Sequence, residues 1–126
     1  MMEYLLDKNK TFKEALLQLE KNSEKCLIIT QKERFLVGTL TDGDIRRALL
    51  NGASINSNIF KHVKKNPVFM KDSDLDNSVN DLSKNKKLIN LIEKISDDHI
   101  DIIPVIDKKR ELRKIIYKKN LKKFFK

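Results

Sequence analysis

The chain has 126 residues, 40% of them hydrophobic and 36% charged, enough for one compact domain or for two half-sized repeats sharing a core. Two independent domains would each fall near the size at which a hydrophobic core no longer suffices alone. The net charge of +9 belongs to the C-terminus: residues 108–126 hold ten basic residues and one acidic, leaving 17 of each sign in residues 1–107.

The start, MMEYLLDKNK, lacks the apolar core of a signal peptide, and no apolar run approaches the roughly 20 residues of a membrane span. A soluble, cytoplasmic protein without membrane association is expected. In Thr11–Lys21, Phe12, Ala15, Leu16 and Leu19 recur at spacings of three and four, which predicts an amphipathic helix. Cys26–Thr30 is an isoleucine-rich run that reads as a buried strand, and Gln31–Arg34 is a connection of hairpin length. Phe35–Thr41 is the second strand, and Asp42–Leu50 a helix ended by Asn51-Gly52, with Gly52 suited to the left-handed C′ position. After an apolar patch at Ile59–Val63, residues 66–70 form a short extended entry, and Leu82–Ile95 again shows helical spacing. Ile100–Asp107 is a strand whose Pro104 belongs at an edge or a bulge. Lys108–Arg110 is a turn, Leu112–Tyr117 a further strand, and Lys118–Phe125 a terminal helix. Helix–strand–strand–helix thus occurs twice, predicting an α+β fold of two pseudo-symmetric repeats, 1–64 and 65–126, packed sheet to sheet. In the alignment of the repeats Gly38 falls on Lys114, whereas Leu27 falls on Pro104 only after a slip of one position.

The stretch Gly38-Thr39-Leu40-Thr41-Asp42-Gly43-Asp44 sets a glycine in a strand, a hydroxyl at the strand end and a carboxylate three residues on, at a helix start. Helix N-termini offer unpaired amides and a positive dipole end, which suit a phosphate. Thr41 can donate its hydroxyl there, Asp44 can accept from a ribose diol, and Arg46 or Arg47 can add charge. The missing side chain of Gly38 leaves room for a flat ring. A second reading uses the same residues: Thr41 and Asp44 have the spacing of a capping box, and Asp42 and Asp44 favour a first helical turn.

The string VGTLTDGDIRRALLNG resembles the nucleotide-contacting signature of cystathionine-β-synthase (CBS) domains, and IIPVID resembles the apolar-Pro-Val-apolar-Asp strand of the same domains. The resemblance implies a tandem pair, or Bateman module, of two β-α-β-type repeats that binds an adenine nucleotide (AMP, ADP or ATP) as regulatory ligand, requires no cofactor and forms a homodimer. It assigns ligand binding to Gly38, Thr39, Thr41, Asp42, Asp44, Arg46 and Arg47, with backbone contacts at Cys26, Leu27 and Ile28. Lys114, Tyr117 and Asn120 replace the signature's glycine, hydroxyl and aspartate. A second site around Pro104, Val105, Tyr117 and Asn120 is therefore expected to be degenerate. TDGDIRRALLNG followed by KNPVF is also similar to the CBS pair preceding bacterial sugar-1-phosphate nucleotidyltransferase domains, which implies a catalytic domain C-terminal to this chain.

Neither catalysis nor a metal is expected. His62 and His99 lack the spacing of a metal triad or a nucleophile–base pair, and Cys26 sits in an apolar strand. Asp97-Asp98-His99-Ile100-Asp101 holds residue types that could bind a metal but reads as an acidic loop. The lysine-rich tail has the charge density of a nucleic-acid contact stripe, but Tyr117, Phe124 and Phe125 form no stacking platform. A basic nucleic-acid-binding domain and a ligand-free dimerisation module are the alternative readings.

Overall fold

The structure, a computed structural model, describes residues 2–22, 24–75, 85–95 and 101–120. The chain divides into two compact units, Met1–Pro67 and Val68–Lys126, slightly beyond the division at 64/65 drawn from the sequence.

The first unit runs β1 (Leu5–Asp7), α1 (Phe12–Leu19), β2 (Cys26–Gln31), β3 (Phe35–Thr41) and α2 (Asp42–Leu50), followed by a 3-10 turn at Phe60–His62. Its sheet has the order β1-β2-β3, with β1 parallel and β3 antiparallel to β2. Helix α1 begins in a capping box formed by Thr11 and Glu14, and buries Phe12, Ala15 and Leu19 in a core with Leu27, Ile29, Leu40 and Ile45. Helix α2 ends as the sequence predicts. Gly52 has φ 101°, the Ala53 amide donates to Ala48 O at 3.0 Å and the Gly52 amide to Leu49 O at 3.1 Å. These two bonds are those of a Schellman motif.

The second unit runs β4 (Met70–Lys71), α3 (Lys86–Ile95), β5 (Ile102–Ile106) and β6 (Leu112–Tyr117), then a 3-10 turn at Lys118–Asn120. The sheet order β4-β5-β6 repeats the parallel and antiparallel pairings of the first unit. Helix α3 starts at Lys86, where the Asn85 side chain accepts the Leu88 amide at 3.0 Å and caps it; residues 82–84 of the expected helix lie outside the described residues. Leu88 and Ile92 pack with Met70, Leu75, Ile103, Val105 and Ile116. Residues 121–126 of the expected terminal helix lie outside the described residues, as do Asp97, Asp98 and His99.

The two hairpins share one ladder. Cys26 pairs with Thr41 and Ile102 with Tyr117; Ile29 pairs with Gly38 and Val105 with Lys114. Each register shift falls at the same place, between Ile29 and Thr30 in one unit and between Val105 and Ile106 in the other. The pairs of β5 and β6 map onto those of β2 and β3 without a slip. Pro104 therefore stands with Ile28, and the alignment of Leu27 with Pro104 is corrected. Between β1 and β2 lie residues 8–25, and between β4 and β5 residues 72–101, so the second crossover is the longer. Pro104 sits in the central strand, yet β4 pairs only with Val105 and Ile106 and leaves Pro104 with a single neighbour, Ile115. The proline thus takes a position with edge character next to the bulge, where no ladder partner needs its missing N–H. Among the described residues, no helix is long and apolar enough to cross a membrane.

Candidate functional site

The hairpin brings the predicted residues of the first unit to one corner. Cys26 opens β2 directly opposite Thr41, the last residue of β3, and Ile28 lies opposite Thr39. Side chains alternate along strands and face the same way across a ladder, so Cys26, Ile28, Thr39 and Thr41 share one sheet face. Leu27 turns the other way, into the core with Phe12 and Leu40. The Cys26 and Ile28 side chains are fully buried and Thr39 is 5% exposed, whereas Thr41, Asp42 and Asp44 are partly exposed.

At the start of α2 the capping box is fully formed. The Asp44 amide donates to Thr41 Oγ1 at 3.1 Å, and the Thr41 amide donates to Asp44 Oδ2 at 2.9 Å. The Asp42 amide donates to Lys25 O at 3.0 Å. Of the four amides that a helix start leaves without intrahelical partners, three therefore have protein acceptors and only that of Gly43 remains. The sequence reading expected a set of open amides here, and the fold satisfies most of them internally. A neighbouring turn completes the corner. Asn22 donates from Nδ2 to Glu3 O and Cys26 O at 3.2 and 3.4 Å, and its Oδ1 accepts the Glu24 and Lys25 amides, each at 3.1 Å. Asn22, 8% exposed, thus holds the Lys25 carbonyl (φ 53°) against α2. Its only sequence signal was a polar residue just beyond an amphipathic helix.

Both arginines are already engaged on their own helix. Arg46 Nη2 lies 2.8 Å from Asp42 Oδ2, and Arg47 Nη2 lies 2.8 Å from Asp44 Oδ1. Gly43 lies under the second pair: a Cβ there would stand 3.3 Å from Arg47 Nη1, a tight contact that the exposed guanidinium can relieve by a small shift. The arginine side chains are 68% and 69% exposed, and exposed pairs of this kind contribute about 0–1 kcal/mol. Exchanging a carboxylate for another anion there costs little. Each oxygen of Asp44 has one partner and keeps a second lone pair for a further donor.

Gly38 has a different reason from the one expected. A Cβ at Gly38 would stand 2.1 Å from Lys64 O and 2.7 Å from Val63 Cγ1. The Thr39 amide donates to Lys64 O at 3.1 Å, and the Lys64 amide to Thr39 O at 2.9 Å. The space left by the missing side chain is filled by the chain's own backbone crossing the edge of β3, not left open for a flat ring.

In the second unit Lys114 and Tyr117 occupy the ladder positions of Gly38 and Thr41, and Asn120 stands three residues beyond, as Asp44 does in the first. Lys114 is exposed, Tyr117 is half-buried with Lys119 Nζ 5.9 Å from its ring centroid, and Pro104 and Val105 are buried in β5. The Lys118 amide donates to Asp101 O at 2.8 Å, in the place of the Asp42–Lys25 bond of the first unit. The Asn120 side chain lies outside the described set. Cys26 is buried, and His62 packs against Phe12 at a ring separation of 5.4 Å. Among the described residues, no cluster of three or more His, Cys, Asp and Glu side chains could hold a metal ion.

Solved structures with this arrangement include proteins described as CBS-domain proteins. A CBS domain protein from Pyrobaculum aerophilum, complexed with AMP, superposes with a TM-score of 0.70 at 18% identity, over 93% of this chain and 81% of its own. The CBS domain pair of protein MJ0100, in complex with 5′-methylthioadenosine and S-adenosyl-L-methionine, gives 0.70 at 21% identity over 96% and 86%. This is the fold of a CBS-domain pair. At such identities the likeness establishes the fold of the CBS pair, and its chemistry must be argued from the residues present. No protein-family model matches the chain. In sequence it is 34% identical over 70 residues to an uncharacterised protein of Helicobacter pylori (strain ATCC 700392 / 26695), a match covering 56% of this chain and 21% of that protein. The CBS-pair chain therefore matches about a fifth of this relative's length.

Proposed function

We propose that the chain is a regulatory module that senses an adenine nucleotide, AMP or a close relative, at the Thr41–Asp44 corner of its first unit. The observation that carries this reading is the coincidence of a CBS-pair fold with the string GTLTDGD placed at the turn from β3 into α2. Solved proteins of the same fold are complexed with AMP, 5′-methylthioadenosine and S-adenosyl-L-methionine. In this reading Asp44 accepts from the ribose hydroxyls, Thr41 and the Gly43 amide face the phosphate, and Arg46 or Arg47 swings from its carboxylate to the added anion. Thr39 and the backbone of Cys26, Ile28 and Ile29 lie beside the base. Ile29 enters because the ladder sets Ile28–Ile29, not Leu27–Ile28, in the place of Pro104–Val105. The second unit's Tyr117 and Asn120 replace the small hydroxyl side chain and the carboxylate with a bulky phenol and a neutral amide, so one mononucleotide binds per chain.

Regulation then follows from differential affinity: the nucleotide favours one arrangement of the pair, and an attached enzyme feels the shift. A homodimer located in the cytoplasm, with a sugar-1-phosphate nucleotidyltransferase domain following Lys126, completes the proposal, and the residues encoded after Lys126 test that last element directly. A thermal-shift series with AMP, ADP, ATP and S-adenosylmethionine tests the binding, and one of them should stabilise the chain in a concentration-dependent way. Replacing Asp44 with Ala should weaken that ligand about ten- to a hundredfold, the worth of a hydrogen bond to a charged group. Unchanged affinity in the variant would remove Asp44 from the site.

A further inference from the structure

We propose that the second unit carries a separate binding site for a small phosphate-rich anion, in the cleft beside its β5–β6 hairpin. The cleft encloses about 860 Å³, within the roughly 300–1,000 Å³ of small-molecule sites. Its apolar floor is Phe69 and the buried Ile106, and its rim carries Lys71, Lys108, Lys109 and Arg113. Arg110 closes one side, its guanidinium 5.4 Å from the centroid of Phe69. An adjoining hollow of about 430 Å³ shares Arg113 and adds Lys114.

These cations outnumber the acidic residues of the rim, which are Asp72, Asp107 and Glu111. Asp107 Oδ1 is taken by the amides of Lys109 and Glu111, both at 2.9 Å, and serves the turn. Lys71, Lys108, Lys109 and Arg113 make no ion pair with another described residue, although the charges of Lys109 and Arg113 act on Asp107. Arg113 is the extra residue of the β5–β6 bulge, which interrupts the ladder between Ile106↔Leu112 and Val105↔Lys114. Bulges re-aim side chains, and this one is exposed at the cleft.

The first unit supplies the control. Its equivalent hollow, about 400 Å³, lies beside the β2–β3 hairpin and is lined by Leu5, Asp7, Thr30, Glu33 and Arg34. The fold makes a hollow at this end of each sheet. By the ladder, Asp7, Glu33 and Val37 become Lys71, Lys109 and Arg113 in the second unit, while Lys8, Gln31 and Phe35 become Asp72, Asp107 and Glu111. Five cations thus stand against three carboxylates where the first unit has three against two. That pattern fits an anion. The concave, apolar-floored shape fits a compact molecule with several phosphates, gripped bidentately by Arg113 and by the lysine ammonium groups, better than an extended polyanion lying on a flat stripe.

Calorimetric titration of the full chain with sodium tripolyphosphate in about 0.1 M salt, where exposed charges more than about 10 Å apart are screened, tests the site. Saturable one-to-one binding is expected. The Lys71→Asp/Lys109→Glu variant, which restores the first unit's charges at exposed positions, should weaken it by about tenfold or more, and Arg113→Gln by about tenfold. The Arg46→Gln/Arg47→Gln variant, which removes the cations proposed for the phosphate at the Thr41–Asp44 corner, should bind tripolyphosphate as wild type, which separates the two sites. Non-saturable uptake, an unaffected Lys71→Asp/Lys109→Glu variant, loss of binding in Arg46→Gln/Arg47→Gln, or stronger competition by mixed-sequence DNA at equal phosphate concentration would each overturn the proposal.

Discussion

The two units are built on one ladder and differ in what hangs from it. Their hairpins match pair for pair, bulge included, yet Gly38, Thr41 and Asp44 in one become Lys114, Tyr117 and Asn120 in the other. Backbone pairing and a buried apolar strand suffice to specify the scaffold. The corner and the hairpin end are set by a few side chains that the scaffold does not need. Each unit gives up one polar feature that the other keeps. The first has the capped, carboxylate-bearing corner, and the second the cationic cleft.

The strongest way to break the comparison is at its glycine. Gly38→Ala drives a Cβ into Lys64 O at 2.1 Å, a backbone atom that moves only if the two Thr39–Lys64 bonds break. Overpacking together with two lost hydrogen bonds predicts a loss of about 2–4 kcal/mol in denaturant unfolding. Lys114→Ala, at the same ladder position but exposed, should change stability by no more than about 0.5 kcal/mol. Equal effects at the two positions would mean that the edge of β3 is not closed by residues 63–64.

A smaller effect separates capping from ligand binding. Thr41→Ala removes the acceptor for the Asp44 amide and should lower stability by about 1 kcal/mol without any ligand. Thr41→Ser should retain both the cap and the nucleotide affinity. Stability unchanged in Thr41→Ala would show that the box contributes nothing and that its residues are kept for the ligand alone.

These contrasts bear on how much could be read from the sequence. The β2–β3 hairpin, helix α2, its glycine stop and the position of Thr41 and Asp44 were legible because periodicity, caps and turn residues agree there. Strands β1 and β4 span only Leu5–Asp7 and Met70–Lys71. They are held by backbone pairing to β2 and β5, and so short a segment carries no period; β1 left no signal, and β4 showed only as an extended entry. The slip at Pro104 has a related cause. β2 is buried from Cys26 to Thr30 and β5 throughout, so no inside–outside alternation fixes their register, and side-chain character alone slides by one. The occupation of the space beside Gly38 was illegible because residues 63–64 reach it from beyond α2, far along the sequence.

The mildest contrast lies in the turns. The β2–β3 turn places Lys32 and Glu33 at φ 49° and 71°, while the β5–β6 turn has one such residue, Arg110 at φ 66°, and a carboxylate where the first has Gln31. The Asp107 carboxyl is held below the usual carboxylate range, first by the Glu111 amide, against a partial loss of hydration that pulls it upward. The Lys109 amide and the charges of Arg113 and Lys109 add to the lowering. A group whose folded pKa is depressed contributes its stabilisation above its unfolded value, about 3.9, and loses it as the pH falls through the folded value. The β5–β6 turn should therefore loosen below about pH 4, with the amide proton resonances of Lys109 and Glu111 titrating together at an inflection under that pH. In Asp107→Asn, which keeps an acceptor oxygen but no titrating charge, that shared inflection should vanish while the turn persists at neutral pH. If the two amides still titrate in the variant, their bonds to Asp107 are not what organises the turn, and the acidic residue would have to be counted with the cleft instead.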